Sequence, residues 1–285
     1  MSTFPFEYRS PASAAEAVEI LAADPEGTRP LGGGTWVVPE MNRRESRPRT
    51  VLDLRRAGIG GIEADGEGLR IGATCSYAAL IDSPLVAERA PLLHAAAAGI
   101  TGGRQVQVQG TIGGSLAAAR PQSDAPAAVC ALGATAVALG PEGERRLPVG
   151  ELFAGAMRTT LSPAEILTAI ELPASPGGAR WGYYKLKRAA GSWPIATAAV
   201  LVGAGGARLV LGAVAETPLA VEVDDLLPGR LDDPGSLERA ARRAGEAAAA
   251  APWDDELAPG SYRASVAAPV ALRAIRMAAE REGPE

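Results

Sequence analysis

Gly110-Thr111-Ile112-Gly113-Gly114-Ser115 is the stretch on which the reading of this chain turns. Two adjacent glycines can take φ > 0 and bring bare backbone within contact distance of a ligand, which a residue with a Cβ does only at a cost. Thr111 and Ser115 put a hydroxyl on either side of that backbone. Successive N–H groups in such a turn form a concave anion site suited to phosphate oxygens. Paired glycines alone more often mark an ordinary turn. A second stretch of the same character, Gly32-Gly33-Gly34-Thr35, lies far upstream. The two are read together as opposite walls of one diphosphate-binding cleft.

A chain of 285 residues can hold a large core and two domains. Its 47% hydrophobic and 21% charged content exclude disorder, coiled coil and collagen. The net charge of -5 argues against a nucleic-acid partner, which would call for a basic face. No run of about 18 apolar residues is present to span a bilayer. Residues 1–10 lack a basic n-region and a long apolar h-region, so no secretory signal is expected. The 2 cysteines, Cys75 and Cys130, are far apart without CxxC spacing, and His94 is the 1 histidine. All three read as helix or core residues, so the chain is expected to carry no metal or iron–sulfur cluster of its own. A reducing cytoplasm is the expected location.

Ser13-Ala14-Ala15-Glu16 is a capping box, followed by Ala17, Val18 and Leu21 at helical spacing. This predicts a helix to about residue 24. A strand over 28–31 feeds the triple glycine, a short helix follows over 35–42, and 50–54 is a buried strand. The glycines then sit at a strand-to-helix corner, where anions meet helix N-termini. A new unit begins near residue 55, with a strand over 69–72 and helices over 77–81 and 85–98. Residues 100–110, alternating at Val106 and Val108, deliver the second glycine stretch. A helix from Ser123 or Asp124 to Leu132 and strands over 135–139 and 165–172 complete the unit. Ala174-Ser175-Pro176-Gly177-Gly178 reads as a linker. Three antiparallel strands (181–186, 195–202, 208–214) and two helices (236–251, 262–280) follow. Pro269 should kink the last helix or reset its start.

Neither glycine stretch fits the G-x-G-x-x-G fingerprint or the P-loop, and Gly203-Ala204-Gly205-Gly206 reads as a hairpin turn. Taken in order, the motifs resemble the FAD-binding medium subunit of the molybdenum hydroxylases, the xanthine dehydrogenase and carbon monoxide dehydrogenase family. Gly32-Gly33-Gly34-Thr35-Trp36 and Gly110 to Ser115 match the two glycine motifs, and Pro121-Gln122-Ser123-Asp124 a downstream Pro-x-Ser-Asp. Glu165-Ile166-Leu167 with Pro173, Lys185-Leu186-Lys187-Arg188, Tyr262-Arg263 and Arg273-Ala274 match later elements. The likeness spans nearly the whole chain.

The resemblance implies an α+β fold of the vanillyl-alcohol-oxidase (PCMH) type. Two α/β FAD-binding subdomains (1–54 and 55–173) would be followed by an antiparallel-sheet-and-helix domain (179–285). It implies non-covalent FAD, with backbone N–H groups around Leu31, Gly32, Gly33, Gly34, Thr35 and Trp36, and around Thr111, Ile112, Gly113, Gly114 and Ser115, sharing the diphosphate. Hydrogen bonds to a charged acceptor contribute about 1.5–3 kcal/mol each, so about four or five would hold a dissociable cofactor. Asp124 would accept from a ribityl or ribose hydroxyl, cap its helix, or do both. Leu167 would pack on the flavin and Lys185 lie near its pyrimidine edge. Trp193 would either cover one flavin face or pack in the C-terminal core.

Molybdopterin and two [2Fe-2S] clusters are implied on separate large and small partner subunits of a hetero-oligomer. The flavin would pass electrons to NAD+, oxygen or another acceptor, and no catalytic acid–base residue is expected on this chain. The departures are Trp36, Gln107, Ser115, Arg120 and Ser192-Trp193; they bear on acceptor and potential. The alternatives are a self-sufficient flavoprotein oxidase or reductase of the same fold, and an assembly subunit that has lost FAD.

Overall fold

The capping box at Ser13 closes in both directions: Ser13 Oγ accepts from Glu16 N at 3.1 Å, and Glu16 Oε2 accepts from Ala12 N at 2.8 Å. The computed structural model describes residues 4–224 and 226–281. The outermost residues of the expected first and third units, and the start of the stretch read for a signal, lie outside the described residues. Helix α1 (Ala14–Ala23) buries Ala17, Val18 and Leu21, as its spacing requires. Strands β1 (Glu7–Arg9), β2 (Thr28–Leu31) and β3 (Thr50–Asp53) form a parallel sheet ordered β1-β3-β2. Short α2 (Val37–Asn42) follows the triple glycine. Strand β1 is too short and exposed to carry a burial pattern, so the sequence gives no sign of it.

Strands β4 (Ile62–Asp65) and β5 (Gly68–Gly72) begin the second sheet. Five helices then run in succession: α3 (Tyr77–Asp82), α4 (Pro84–Arg89), α5 (Pro91–Ala98), α6 (Gly103–Gln109) and α7 (Ile112–Ala118). Pro84 and Pro91 each open a helix, where a missing N–H costs nothing. Next come α8 (Asp124–Ala131), β6 (Thr135–Gly140), β7 (Gly143–Pro148), the small hairpin β8 (Phe153–Gly155) and β9 (Arg158–Thr159), and β10 (Ile166–Leu172). The sheet is antiparallel, in the order β4-β5-β10-β6-β7.

Residues 103–109 correct the alternating reading of 100–110: they form a helix, not an extended run. Helix α6 buries none of its residues and leaves Val108 54% exposed. With none of its residues buried, the Val-Gln-Val-Gln spacing reports nothing about backbone period. Gly102, at φ 96°, sets the entry to the helix, a conformation only glycine adopts cheaply.

The third sheet is β11 (Arg180–Lys187), β12 (Pro194–Gly203), β13 (Gly206–Gly212) and β14 (Leu219–Val221), antiparallel throughout. Gly203 pairs with Gly206 across the hairpin turn read from the sequence. Helices α9 (Pro234–Ala250) and α10 (Gly260–Ala279) pack on it. Of the kink or reset expected at Pro269, the reset does not occur: the residue lies inside α10, which already begins at Gly260. All ten residues of β12 are buried, between α8 and α10. One hydrophobic cluster runs from Ala17 through Leu80 and Ile170 to Ala199 and Val210, so a shared core joins the first sheet to the third. Among the described residues, no helix is long and apolar enough to cross a membrane.

Candidate functional site

The two glycine stretches touch. A Cβ on Gly33 would lie 1.6 Å from the Gln109 carbonyl oxygen, and one on Gly32 2.8 Å from Thr111 Oγ1. Bare backbone is therefore needed first so that the two walls can meet. Gly34 has φ +73°, the left-handed conformation expected of such a corner. Gly113 and Gly114 do not: they lie in the first turn of α7, with Thr111 as its N-cap. The turn expected at 110–115 is thus a helix start. Gly113 is glycine because a Cβ would meet the Ala73 backbone at 2.6–2.8 Å.

This changes which donors are free. The N–H groups of Ile112, Gly113, Gly114 and Ser115 donate to Cys75 O, Ala73 O, Thr111 Oγ1 and Thr111 O. Among the described residues those of Gly33, Gly34, Thr35 and Thr111 donate to no group of the chain. The second stretch offers a hydroxyl instead. Tyr77, buried at the start of α3, donates from its phenol to Ser115 Oγ at 2.6 Å, leaving the serine proton free to donate. Burial holds the Tyr77 phenol well above its ordinary range, so it stays a donor. No sequence pattern marks Tyr77 for this role.

A cleft of about 320 Å³ opens between these walls. Gly32, Gly33, Gly34, Thr35, Trp36, Thr111, Gly113, Gly114, Ser115 and Leu167 line it. Leu31, Ile112, Asp124, Lys185 and Trp193 do not. Ile112, the first residue of α7, is fully buried. Asp124 and Lys185 face each other at 2.8 Å; Asp124 Oδ1 also accepts from Tyr183 Oη at 2.9 Å, and Lys185 Nζ donates to Gly99 O and Thr101 Oγ1. Burial pushes the Asp124 carboxyl up and the Lys185 ammonium down, each drawn back by the other's charge. Ser123 is the N-cap of α8 by position but makes no side-chain cap.

Trp193 reaches the site indirectly, stacked on Trp36 with ring centroids 5.0 Å apart. Arg29, Glu40 and Arg120 also line the cleft. Of these only Arg120 stands out in the sequence, as a departure from the family pattern. Glu40 accepts from both guanidiniums, Arg29 at 3.2 Å and Arg120 at 2.7 Å. Burial pushes the Cys75 and Cys130 thiols up to about 11 and about 12, and His94 Nε2 is within 3.0 Å of Ile81 O inside the helical layer. None of the three lines the cleft, and among the described residues no cluster of three His, Cys, Asp or Glu could hold a metal.

A cleft of bare N–H donors between two glycine walls suits a nucleotide diphosphate, and comparison with known proteins gives the family. Residues 4–175 match the model for the FAD binding domain in molybdopterin dehydrogenase. The chain belongs to that family. It is 36% identical over 283 residues to the carbon monoxide dehydrogenase medium chain of Afipia carboxidovorans, covering 97% of each. To the caffeine dehydrogenase subunit beta of Pseudomonas sp. strain CBB1 it is 31% identical over 287 residues, covering 97% of this chain and 95% of that one. It superposes on a chain of the reconstituted CO dehydrogenase from Oligotropha carboxidovorans with TM-score 0.92 and 36% identity, over 99% of this chain and 100% of that one. The chain is therefore an FAD-binding medium subunit of the molybdenum hydroxylase type, with the α+β architecture expected from its motifs.

Proposed function

We propose that this chain relays electrons in a molybdopterin-dependent dehydrogenase, from [2Fe-2S] clusters on a small partner subunit to an acceptor such as NAD+ or oxygen. The molybdenum cofactor and the organic substrate belong to a large partner subunit. The observation that carries the reading is the set of unpartnered N–H groups at Gly33, Gly34, Thr35 and Thr111, beside the contact where Gly33 meets the Gln109 carbonyl and leaves no room for a Cβ.

Bound FAD supplies the redox chemistry, accepting and releasing electrons. The chain supplies binding and orientation. Gly33, Gly34, Thr35 and Thr111 donate backbone N–H groups to the diphosphate, and Ser115 adds its hydroxyl. Leu167, with Leu54, Ile59 and Ile166 on the same lining, gives the flavin an apolar wall. Asp124 and Lys185 act from outside the lining by tying β11 to α8. Binding is non-covalent: the 1 histidine and 2 cysteines of the chain are placed elsewhere.

The test is purification of the native complex, with flavin and metal analysis of each chain. FAD released by acid from this chain, with molybdenum and iron on two others, is the expected result. Flavin that survives denaturation on this chain, or metal carried by it, would overturn the assignment.

A further inference from the structure

The charge balance of the cleft goes beyond the backbone donors. Four charged side chains line it: Arg29, Glu40, Arg120 and Glu165. Glu165 is neutralised from outside the lining by Arg145, through contacts of 2.6 and 2.9 Å. Glu40 is left to serve two guanidiniums. Among the described residues, one positive charge in the lining thus has no carboxylate of its own, in a cleft whose second wall has spent most of its N–H groups internally.

We infer that Arg29 and Arg120, joined through Glu40, are the charge-bearing part of the diphosphate site. This rests on the FAD reading above and adds side chains to it that the glycine motifs do not contain. Arg120 is set in place beforehand: Glu40 holds Nη2 at 2.7 Å, the guanidinium lies 3.9 Å over the Trp36 ring, and Nη1 points at Met157 Sδ. Among the described residues, Arg29 hydrogen-bonds through its side chain to Glu40 alone, and it is half-exposed, so most of its donors remain open to an anion. A guanidinium is always charged, and its planar fork matches phosphate oxygens. Glu40 is then an internal counter-ion that positions both arginines while weakening the field they present. The competing explanation is a brace that only supports Trp36; the two differ in the sign of the Glu40 effect.

The test measures binding of FAD, ADP and riboflavin to the full chain by flavin fluorescence and by displacement. R120Q should weaken FAD and ADP about tenfold or more, the loss of a charged hydrogen bond, and leave riboflavin, which has no phosphate, unchanged. R29Q, more exposed and more screened, should weaken both ligands by a smaller factor. E40Q should tighten FAD and ADP, and raising the salt should erase much of that gain. Should R120Q fold poorly by circular dichroism, R29Q and E40Q still decide the matter. If E40Q weakens FAD, or R29Q binds both nucleotides as the parent does, the inference falls while the FAD assignment stands. If the parent chain binds neither FAD nor ADP, both fall together.

Discussion

Trp36 and Trp193 stack with their ring centroids 5.0 Å apart and their planes 25° from parallel. Arg120 lies 3.9 Å over the Trp36 ring. A guanidinium and an indole cannot share one face at these distances, so Trp36 is covered on both sides. The stack joins the end of the triple-glycine corner to the residue just before β12.

Aromatic pairs are worth about 0.5–1.5 kcal/mol beyond the area they bury. The variants W36A and W193A should therefore be non-additive by that amount in urea denaturation. Each should also remove the same near-ultraviolet circular dichroism band. Strict additivity, with two unrelated spectral changes, would mean that the stack does not form in solution.

Gly33 and Gly114 should answer differently to alanine. A Cβ at Gly33 would strike the Gln109 carbonyl, part of the backbone, and forcing it in costs about 1–3 kcal/mol or more. At Gly114 the nearest atom is the Thr111 hydroxyl at 2.7 Å, so the loss is the helix cap, about 1 kcal/mol. Replacing a helical glycine returns about 0.5–1 kcal/mol. G33A should lower the melting temperature strongly and G114A hardly at all; equal shifts would contradict the contact between the two walls.

Asp124 and Lys185 are 1% and 7% exposed at their side chains. Removing one member of a buried pair strands the other and costs about 3–5 kcal/mol, whereas replacing both by apolar groups is often near neutral. K185M should destabilise the chain heavily, and D124L/K185M should recover most of the loss. A double variant as unstable as the single one would show that the pair is held by more than mutual charge.

Arg263, fully buried in α10, donates to Ile195 O and Ala213 O at 2.6 Å and pairs with Asp255. Burial pushes the Asp255 carboxyl up, but the Leu257 N–H, the Arg263 charge and hydrogen bond, and Gln122 outweigh it and hold it below its ordinary value. A carboxyl lowered by folding adds stability that is complete above its unfolded pKa, about 4, and is lost as pH falls through the lower folded value. The acid limb of a stability–pH curve should flatten in D255N, and the penalty of that variant should be largest near neutral pH. A constant penalty across the acid range would rule out the charge as its source.

Residues whose neighbours along the chain settle their environment are the ones that could be read in advance. Ser13 and Glu16 cap a helix from within four residues, and Ala17, Val18 and Leu21 share a face by spacing alone. The same holds for the Gly203 to Gly206 hairpin and the buried run of β12. Helix α6 is illegible because none of its own residues is buried, and β14 because three residues carry no period. At the site, sequence identifies the glycines but not their reasons. That Gly33 yields to Gln109, or that Gly113 N–H is consumed by Ala73 O, depends on contacts between segments far apart in the chain. Tyr77 behind Ser115, and Glu40 between Arg29 and Arg120, are likewise products of the fold.

The stretch shared with the family model stops at residue 175, yet α8, which lies inside it, is buried against β12 and β13, which lie beyond it. Arg208 and Tyr183 reach back to Leu132 O and Asp124 across the same join. A fragment cut at that point would open the inner surface of α8 to water and leave Asp124 without its lysine. Recurrence of a sequence segment and independence in folding are separate properties, and here they part company: the third sheet is the other half of the flavin domain's interior.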